Sequence, residues 1–144
     1  MPQSVKSILD AKGRDVVSVA RERTLQDVAN ILNEKKIGAV VVTSLDDRIA
    51  GIFTERDLVR AIAREGAAVL EQQVASAMTT SVTRCREDTT TDELMEMMSQ
   101  GRFRHVPVEE QGKVVGIISI GDVVKSRIRE IETEAEQIKA YIAG

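Results

Sequence analysis

Apolar and polar positions along the chain follow two periods, which predict helices and short strands. Thr24 to Leu32 carries apolar residues at 25, 28, 31 and 32, the spacing of one helix face. The β-branched run Ile37–Val42 predicts a buried strand, and a polar turn leads to a second strand at Ile49–Phe53. A helix is predicted to follow from Glu55 to about Arg64.

The second half of the chain repeats that order. Thr90–Met98 predicts a helix, Phe103–Val108 and Val114–Ser119 predict strands, and another helix is predicted from Gly121. Corresponding positions are 66 residues apart at the first helix and 65 apart at the glycine of the second strand. One residue has been lost from the turn between the strands, and an offset that is otherwise constant indicates an internal duplication.

Each repeat is expected to begin with a short helix and a short strand. The helical segments are Val5–Leu9 and Val74–Met78, and the strands are Val16–Val19 and Val82–Cys85. A unit of about 65 residues is marginal alone, so two such units are expected to share a core through their sheets. The predicted division is residues 1–70 for the first repeat and 71–144 for the second.

Composition narrows the class of protein. The chain has 144 residues, a formal charge of −3, 42% hydrophobic residues and only 2% aromatics, which predicts a globular domain with an aliphatic core. No apolar run approaches the roughly 18 residues of a membrane helix. The absence of a signal-peptide pattern and the single Cys85 favour the cytoplasm. Mild acidity and scarce aromatics argue against nucleic acid as the main partner.

Two segments, GIFTERD at 51–57 and GIISIGD at 116–122, each end a predicted strand with a hydroxyl residue and place an aspartate three positions later. The simplest interpretation is a capping box, which satisfies backbone N–H groups where a helix begins. Four such pairs occur in the chain, and capping alone explains all of them: Thr24/Asp27, Thr54/Asp57, Thr90/Glu93 and Ser119/Asp122.

A ligand-binding interpretation applies to the two pairs that follow a glycine-led strand, Thr54/Asp57 and Ser119/Asp122. Ligands of α/β proteins collect where strands end and helices begin. The hydroxyl can donate to a phosphate oxygen beside the helix N-terminus, and the carboxylate can accept from two ribose hydroxyls. The sequence leaves both interpretations open.

The duplicated pattern resembles a pair of cystathionine-β-synthase (CBS) domains, also called a Bateman module. The resemblance extends from about Val5 to about Arg129 and rests on both motifs and on KKIGAVVV and GRFRHVPV ahead of them. It is most similar to stand-alone bacterial CBS pairs and to the regulatory insert of IMP dehydrogenase. The implied fold is α/β (α+β): two βαββα repeats with pseudo-two-fold symmetry, packed through their sheets, plus an extended C-terminal helix.

The resemblance also implies a function, which is binding of adenine nucleotides in two clefts between the repeats. AMP and NAD(H) are the favoured ligands, ATP and S-adenosylmethionine are alternatives, and no metal is implied. The motif aspartates would hold ribose, the hydroxyls would face phosphate, the strand segments would flank adenine, and Arg56 would reach phosphate. The implied ligand-binding residues are Thr54, Asp57, Ser119, Asp122, Ile37, Gly38, Ala39, Arg104, His105, Val106, Val17, Thr83 and Arg56.

Several of these residues have structural alternatives. Arg104 and Arg56 are also compatible with surface positions, and His105 with an ordinary strand histidine. A single histidine excludes any site that needs two. Lys12 and Arg14, in AKGRD, are expected to lie in a solvated basic turn before the first strand, and the alternative is that they reach a polyphosphate tail.

The C-terminal helix carries apolar residues at spacings of four and three, which is a heptad seam: Val124, Ile128, Ile131, Ala135, Ile138 and Ile142. It predicts pairing with a second copy in a homodimer, or folding back on its own module. The family also suggests a dimer.

Three classes of function follow. The favoured one is a regulatory module that senses a nucleotide and signals to an unknown partner or through the oligomer. A structural homodimerisation or interaction protein with unoccupied clefts is the alternative. An enzyme is not expected, because the chain has neither a phosphate-loop nor a GxGxxG motif, and IMP dehydrogenase's catalytic cysteine loop has no counterpart.

Overall fold

A computed structural model describes residues 3–143 of the chain. Its contacts divide the described residues into two compact units, each assembled from separate parts of the sequence. The first-repeat unit consists of residues 15–83 and 110–115, and the second-repeat unit consists of residues 3–14, 84–109 and 116–143.

The first-repeat unit is a three-stranded sheet with helices. Strand β2 lies in the middle, parallel to β1 and antiparallel to β3, and Ala39 of β2 lies opposite Thr54 of β3. Two 3-10 turns, Ala67–Glu71 and Val74–Ser76, follow the last helix. The elements are β1 (Ser18–Ala20), α2 (Leu25–Lys35), β2 (Ala39–Thr43), β3 (Ile49–Thr54) and α3 (Glu55–Glu65).

The core of this unit is aliphatic, as the composition predicts. Its single aromatic side chain is Phe53, which is fully buried. Alternating residues of β2 and one face of α2 supply most of the rest, because a strand has a period of two and a helix a period of 3.6. The buried cluster comprises Val19, Leu25, Val28, Leu32, Val40, Val42, Phe53, Ala61, Val69 and Val74.

The second-repeat unit contains three helices and the greater part of a two-stranded sheet, whose residues 110–115 are grouped with the first-repeat unit. Strands β4 and β5 pair with each other, and Cys85 adds a single parallel bridge to Val108. The elements are α1 (Val5–Lys12), α4 (Thr91–Gly101), β4 (His105–Glu110), β5 (Lys113–Ser119) and α5 (Ile120–Ala143).

Helix α1 belongs to the second-repeat unit, although it begins the first repeat in sequence. The Val5 and Lys6 N–H groups donate to the carbonyls of Thr89 and Glu87 at 2.8 and 2.9 Å. Helix α1 also contacts α5. The division at residue 70 stays a prediction about the duplication in sequence, whereas the packing joins the start of the chain to its second half.

Three predicted elements differ in the structure. The strand expected at Val82–Cys85 is only the bridge at Cys85, and the one expected at Val16–Val19 is Ser18–Ala20. The helix expected at Val74–Met78 is a 3-10 turn, Val74–Ser76. Antiparallel bridges at Gln73 and Thr79 bound this segment on both sides, so the chain has no room for a longer helix.

Candidate functional site

The first motif joins the end of β3 to the start of α3 through a reciprocal capping box. The Thr54 hydroxyl accepts from the Asp57 N–H at 3.2 Å, and Asp57 Oδ2 accepts from the Thr54 N–H at 3.0 Å. The hydroxyl also donates to Asp57 Oδ2 at 3.1 Å. The cap therefore uses one carboxylate oxygen, while the Asp57 side chain remains 12% exposed and its Oδ1 lies 3.9 Å from Nη1 of Arg60.

The second motif repeats this geometry where β5 runs directly into α5. The Ser119 hydroxyl accepts from the Asp122 N–H at 3.2 Å, and Asp122 Oδ2 accepts from the Ser119 N–H at 2.8 Å. The Asp122 side chain is 18% exposed. Both predicted hydroxyl–aspartate pairs are thus brought together with the same local geometry.

The other two caps lack this reciprocity among the described hydrogen bonds. Thr24 accepts from the Asp27 N–H, and Thr90 accepts from the Glu93 N–H, each at 3.1 Å. Neither acidic side chain returns to the backbone N–H of its cap residue in the described part of the chain. The two pairs that follow glycine-led strands therefore differ from the two that only cap a helix.

The contact of Lys12 with the second motif was not predicted from the sequence. Its Nζ donates to Asp122 Oδ2 at 2.7 Å and to the Ile117 carbonyl at 2.8 Å, and its side chain is one-third exposed. Lys12 is exposed, as expected, but it ends helix α1 instead of lying in a turn, and its ammonium is paired. Arg14 is likewise engaged, because it donates to Asp10 and to Glu87. No local signal reveals these contacts, since Lys12 and Asp122 are 110 residues apart in sequence.

The pKa of Asp122 lies below its ordinary value. Partial burial acts to raise this pKa, but the hydrogen bond from Lys12 and the one from the Ser119 N–H together outweigh burial. Asp122 is therefore ionised at neutral pH and carries its charge against the ammonium of Lys12. An ionised carboxylate is an acceptor only, which is the state that ribose hydroxyls require.

The strand segments predicted to flank adenine lie beside the motif of their own unit. The Gly38 carbonyl accepts from the Glu55 N–H at 3.0 Å, and the Arg104 carbonyl accepts from the Ile120 N–H at 2.8 Å. These bonds anchor the start of each strand to the first residue of the helix that follows the motif.

The side chains of these segments are unequally accessible. The side chains of Ala39 and Val106 are buried, so these two residues offer a ligand their backbone and not their side chains. Ile37, Gly38 and His105 are half-buried, and Arg104 is exposed.

The remaining predicted residues are not joined to either aspartate by the described contacts. Val17 is half-buried, and its carbonyl accepts from the Val41 N–H at 3.1 Å. Thr83 is exposed and lies two residues before the Cys85 bridge, outside any strand. Arg56 is exposed in the first turn of α3. The ligand roles of these three residues stay predictions.

The motif glycines allow close packing rather than an unusual backbone conformation. A Cβ on Gly51 would lie 2.7 Å from Met78 Sδ and 2.8 Å from the Thr79 carbonyl oxygen. A Cβ on Gly116 would lie 2.7 Å from Leu9 Cδ2. Both strands therefore leave space for a segment that packs directly against the motif.

Residues 3–143 contain no group of three His, Cys, Asp or Glu side chains placed to hold a metal ion. In the same range, no helix combines the length and apolarity that crossing a membrane requires.

Comparison with protein families identifies both halves of the chain. The family model of the CBS domain matches residues 5–64 and again residues 74–129. Among solved structures, a CBS-domain-containing protein from Agrobacterium tumefaciens is 59% identical with a TM-score of 0.85, and covers 88% of this chain and 95% of that one. A CBS domain protein from Pyrobaculum aerophilum, solved in complex with AMP, is 27% identical with a TM-score of 0.73, covering 83% and 88%.

Curated relatives include proteins of very different length. The mitochondrial CBS domain-containing protein CBSX3 of Arabidopsis thaliana is 28% identical over 98% of this chain and 72% of its own length. Inosine-5'-monophosphate dehydrogenase of Methanocaldococcus jannaschii is 29% identical over 87% of this chain, which spans only 24% of that enzyme. The similarity therefore concerns a module that occurs both nearly alone and within a larger enzyme.

Proposed function

Because this chain belongs to the CBS-domain family, we propose that it is a regulatory module that binds an adenine nucleotide at its two strand–hydroxyl–aspartate motifs. The observation that carries the proposal is the repeated geometry of Thr54/Asp57 and Ser119/Asp122. In each aspartate one carboxylate oxygen accepts from the cap N–H, and the side chain stays partly exposed. The other oxygen can accept from a ribose hydroxyl, and the nearby hydroxyl and helix N-terminus suit a phosphate.

The adenine ring is proposed to lie against the strand segments beside each motif. Backbone at Ile37–Ala39 and at Arg104–Val106 is tied to the helix that starts at the motif. Arg104 and His105 add polar side chains to the second segment. Val17, Thr83 and Arg56 complete the proposed contacts.

AMP and NAD(H) are the ligands we propose first, with ATP and S-adenosylmethionine as alternatives. The AMP complex of the Pyrobaculum relative supports AMP. No metal is part of the proposal. We also propose a cytoplasmic location, which is based on the single cysteine.

Thermal melting against AMP, ATP, NAD(H) and S-adenosylmethionine tests the proposal. A ligand at about 100 times its Kd stabilises the native state by roughly 2.7 kcal/mol, a rise of several degrees for a domain of this size. Asp57→Ala and Asp122→Ala are each expected to remove part of the shift. Asp27→Ala is the matched control, since it removes a carboxylate from the same helix position at a pair that only caps.

Two results would contradict nucleotide binding at the motifs. One is the absence of any shift with the four nucleotides in the unsubstituted protein. The other is an equal loss of the shift in Asp27→Ala, because that loss would show a general effect of helix caps. Either result would leave both motifs as helix caps.

A homodimer is the second part of the proposal, and the exposed seam of α5 favours it. Val124 and Ile128 are each 50% exposed, and Ile138 is 60% exposed. All residues from 131 to 143 are exposed, so this half of α5 does not fold back on its own unit. A helical segment as short as residues 131–143 is only marginally stable in water when nothing packs against it.

Charge along α5 favours a parallel pair. With Ile128 and Ala135 as a positions, the flanking g residues are Arg127 and Glu134, and the e residues are Glu132 and Lys139. A parallel pair places Arg127 opposite Glu132 of the second copy, and Glu134 opposite its Lys139. Both pairs attract, so a second copy of this chain is a suitable occupant of the seam.

Sedimentation equilibrium of wild type and Ile131→Glu tests the dimer. The charge should shift the equilibrium strongly to monomer, because burying an unpaired carboxylate is costly. A monomeric wild type would contradict the dimer. If the dimer forms while no nucleotide binds, the protein is a structural homodimerisation protein instead.

A further inference from the structure

The two motif aspartates have similar caps but different charged partners. Asp122 Oδ2 accepts from Lys12 Nζ at 2.7 Å as well as from the Ser119 N–H at 2.8 Å. Asp57 Oδ2 accepts from the N–H and the hydroxyl of Thr54, and the Arg60 guanidinium is 3.9 Å from Oδ1 with 61% of its side chain exposed. Of the two motif aspartates, only Asp122 therefore accepts a hydrogen bond from a cationic side chain among the described contacts.

A second hydrogen bond, to a backbone carbonyl, fixes Lys12 in place. In the first-repeat unit the corresponding carbonyl has a different donor. Its Nζ donates to the Ile117 carbonyl at 2.8 Å. The corresponding carbonyl of Ile52 accepts from the Thr79 backbone N–H at 2.9 Å. Lys12 thus satisfies a carbonyl that a backbone segment satisfies in the other repeat, so displacing Lys12 would break two hydrogen bonds. An ammonium has three N–H donors, and these contacts use two of them.

The motif hydroxyls make similar contacts. The Thr54 hydroxyl donates its proton to Asp57 Oδ2 at 3.1 Å. The Ser119 hydroxyl accepts from the Asp122 N–H at 3.2 Å, and a side-chain hydrogen bond from Ser119 helps to lower the pKa of Asp122. The second motif therefore differs from the first in the ammonium of Lys12, whose remaining N–H donor suits a phosphate oxygen.

We infer that Lys12 makes the Ser119/Asp122 motif selective for the phosphate of its ligand, whereas the Thr54/Asp57 motif depends mainly on the ribose. This inference rests on the proposed nucleotide binding and deepens it. Pairing with Lys12 neutralises the Asp122 charge, so the carboxylate repels phosphate less. The same pairing occupies Oδ2 with two N–H donors and leaves less accepting capacity for ribose.

Calorimetric titration with AMP and with adenosine, at one fixed salt concentration, tests this selectivity. Asp57→Ala serves as the background that leaves only the second motif, and Asp122→Ala as the one that leaves only the first. In the Asp57→Ala background, Lys12→Met is expected to lower the ratio of AMP affinity to adenosine affinity by about tenfold to a hundredfold, the worth of one charge-assisted hydrogen bond. In the Asp122→Ala background the ratio should not change.

Two further variants separate charge from structure. Lys12→Arg keeps the cation and is expected to retain most of the selectivity. Lys6→Met makes the same change on the same helix, at a residue whose side chain is 62% exposed and paired with Asp10, and should leave the ratio unchanged. Because the readout is a ratio of two ligands, a partial loss of folded protein does not alter it. If Lys12→Met fails to fold, Lys12→Gln in the Asp57→Ala background supplies the same test, because it keeps N–H donors and removes the charge.

The outcomes separate this inference from the proposed function. If the unsubstituted protein binds neither AMP nor adenosine, both fail. If it binds AMP but Asp57→Ala abolishes all binding, or if Lys12→Met leaves the ratio unchanged, only the role of Lys12 is overturned. Stronger binding of both ligands by Lys12→Met would show that Lys12 blocks the motif, which also overturns the inference.

Discussion

Replacing the two motif glycines with alanine should destabilise the protein unequally, because the added methyl groups meet different kinds of atoms. On Gly51 the new Cβ would lie 2.8 Å from the backbone oxygen of Thr79 and 2.7 Å from Met78 Sδ. On Gly116 it would lie 2.7 and 2.9 Å from the two terminal methyl carbons of Leu9. A leucine side chain can rotate away, whereas a carbonyl moves only with its backbone.

The backbone at Thr79 is held by two hydrogen bonds to Ile52. The Ile52 N–H donates to the Thr79 carbonyl at 3.0 Å, and the Thr79 N–H donates to the Ile52 carbonyl at 2.9 Å. Overpacking a core by one methyl group costs about 1–3 kcal/mol, and straining these bonds adds up to about 1 kcal/mol each. We expect a loss of about 3 kcal/mol for Gly51→Ala and about 1 kcal/mol for Gly116→Ala.

Urea denaturation followed by circular dichroism measures both changes in the free energy of unfolding. For a chain of this size, 1 kcal/mol corresponds to roughly 3 °C in Tm, so the two variants should also separate in a thermal scan. Gly121→Ala is the control. Its Cβ would have Ser119 Oγ as nearest neighbour at 3.6 Å, and alanine in a helix should stabilise by about 0.5–1 kcal/mol.

Equal losses in Gly51→Ala and Gly116→Ala, or a larger loss in Gly116→Ala, would refute this reasoning. Either result would mean that the full burial of Leu9, rather than the backbone oxygen at Thr79, decides the cost.

Two smaller effects are also expected. Since the pKa of Asp122 is lowered on folding, its ionised form adds stability above about pH 4, and that stability is lost as the pH falls through the folded-state pKa. Urea titrations from pH 7 to pH 3 should therefore show a steeper loss in wild type than in Asp122→Asn. Asp10→Asn should change the slope less, because Asp10 pairs with Lys6 and Arg14 at the surface, where solvent screens the charges. Thr24→Ala should cost about 1 kcal/mol in unfolding free energy without changing the affinity for AMP, whereas Thr54→Ala should change both; equal affinities would contradict the distinction.

Local chemistry explains which elements could be predicted from the sequence. The helices predicted from Thr24 and Thr90 begin where those residues cap them, because capping is decided within four residues of chain. Strands β2 and β3 follow from short β-branched runs that pack on one core. The motif pairs were predictable for the same reason, since the hydrogen bonds within each pair span three residues.

Pairing with distant segments explains what could not be predicted. Strand β1 is shifted toward Ala20 because its register is set by parallel pairing with Val41–Thr43. The 3-10 turn at Val74–Ser76 is short because Gln73 bridges to Thr24 and Thr79 bridges to Ile52. Neither partner is visible in the local pattern of apolar residues.

The Lys12 contact shows why a duplicated motif need not be a duplicated site. Ser119 and Asp122 match Thr54 and Asp57 in spacing, in cap geometry and in their place at the end of a strand. Yet the carbonyl two residues before the hydroxyl is satisfied by an ammonium in one repeat and by a backbone N–H in the other. The charge at each motif is thus set by the segment that packs beside its strand, and not by the motif itself. Two motifs of common sequence origin therefore differ in the charge beside them through one residue that lies outside both.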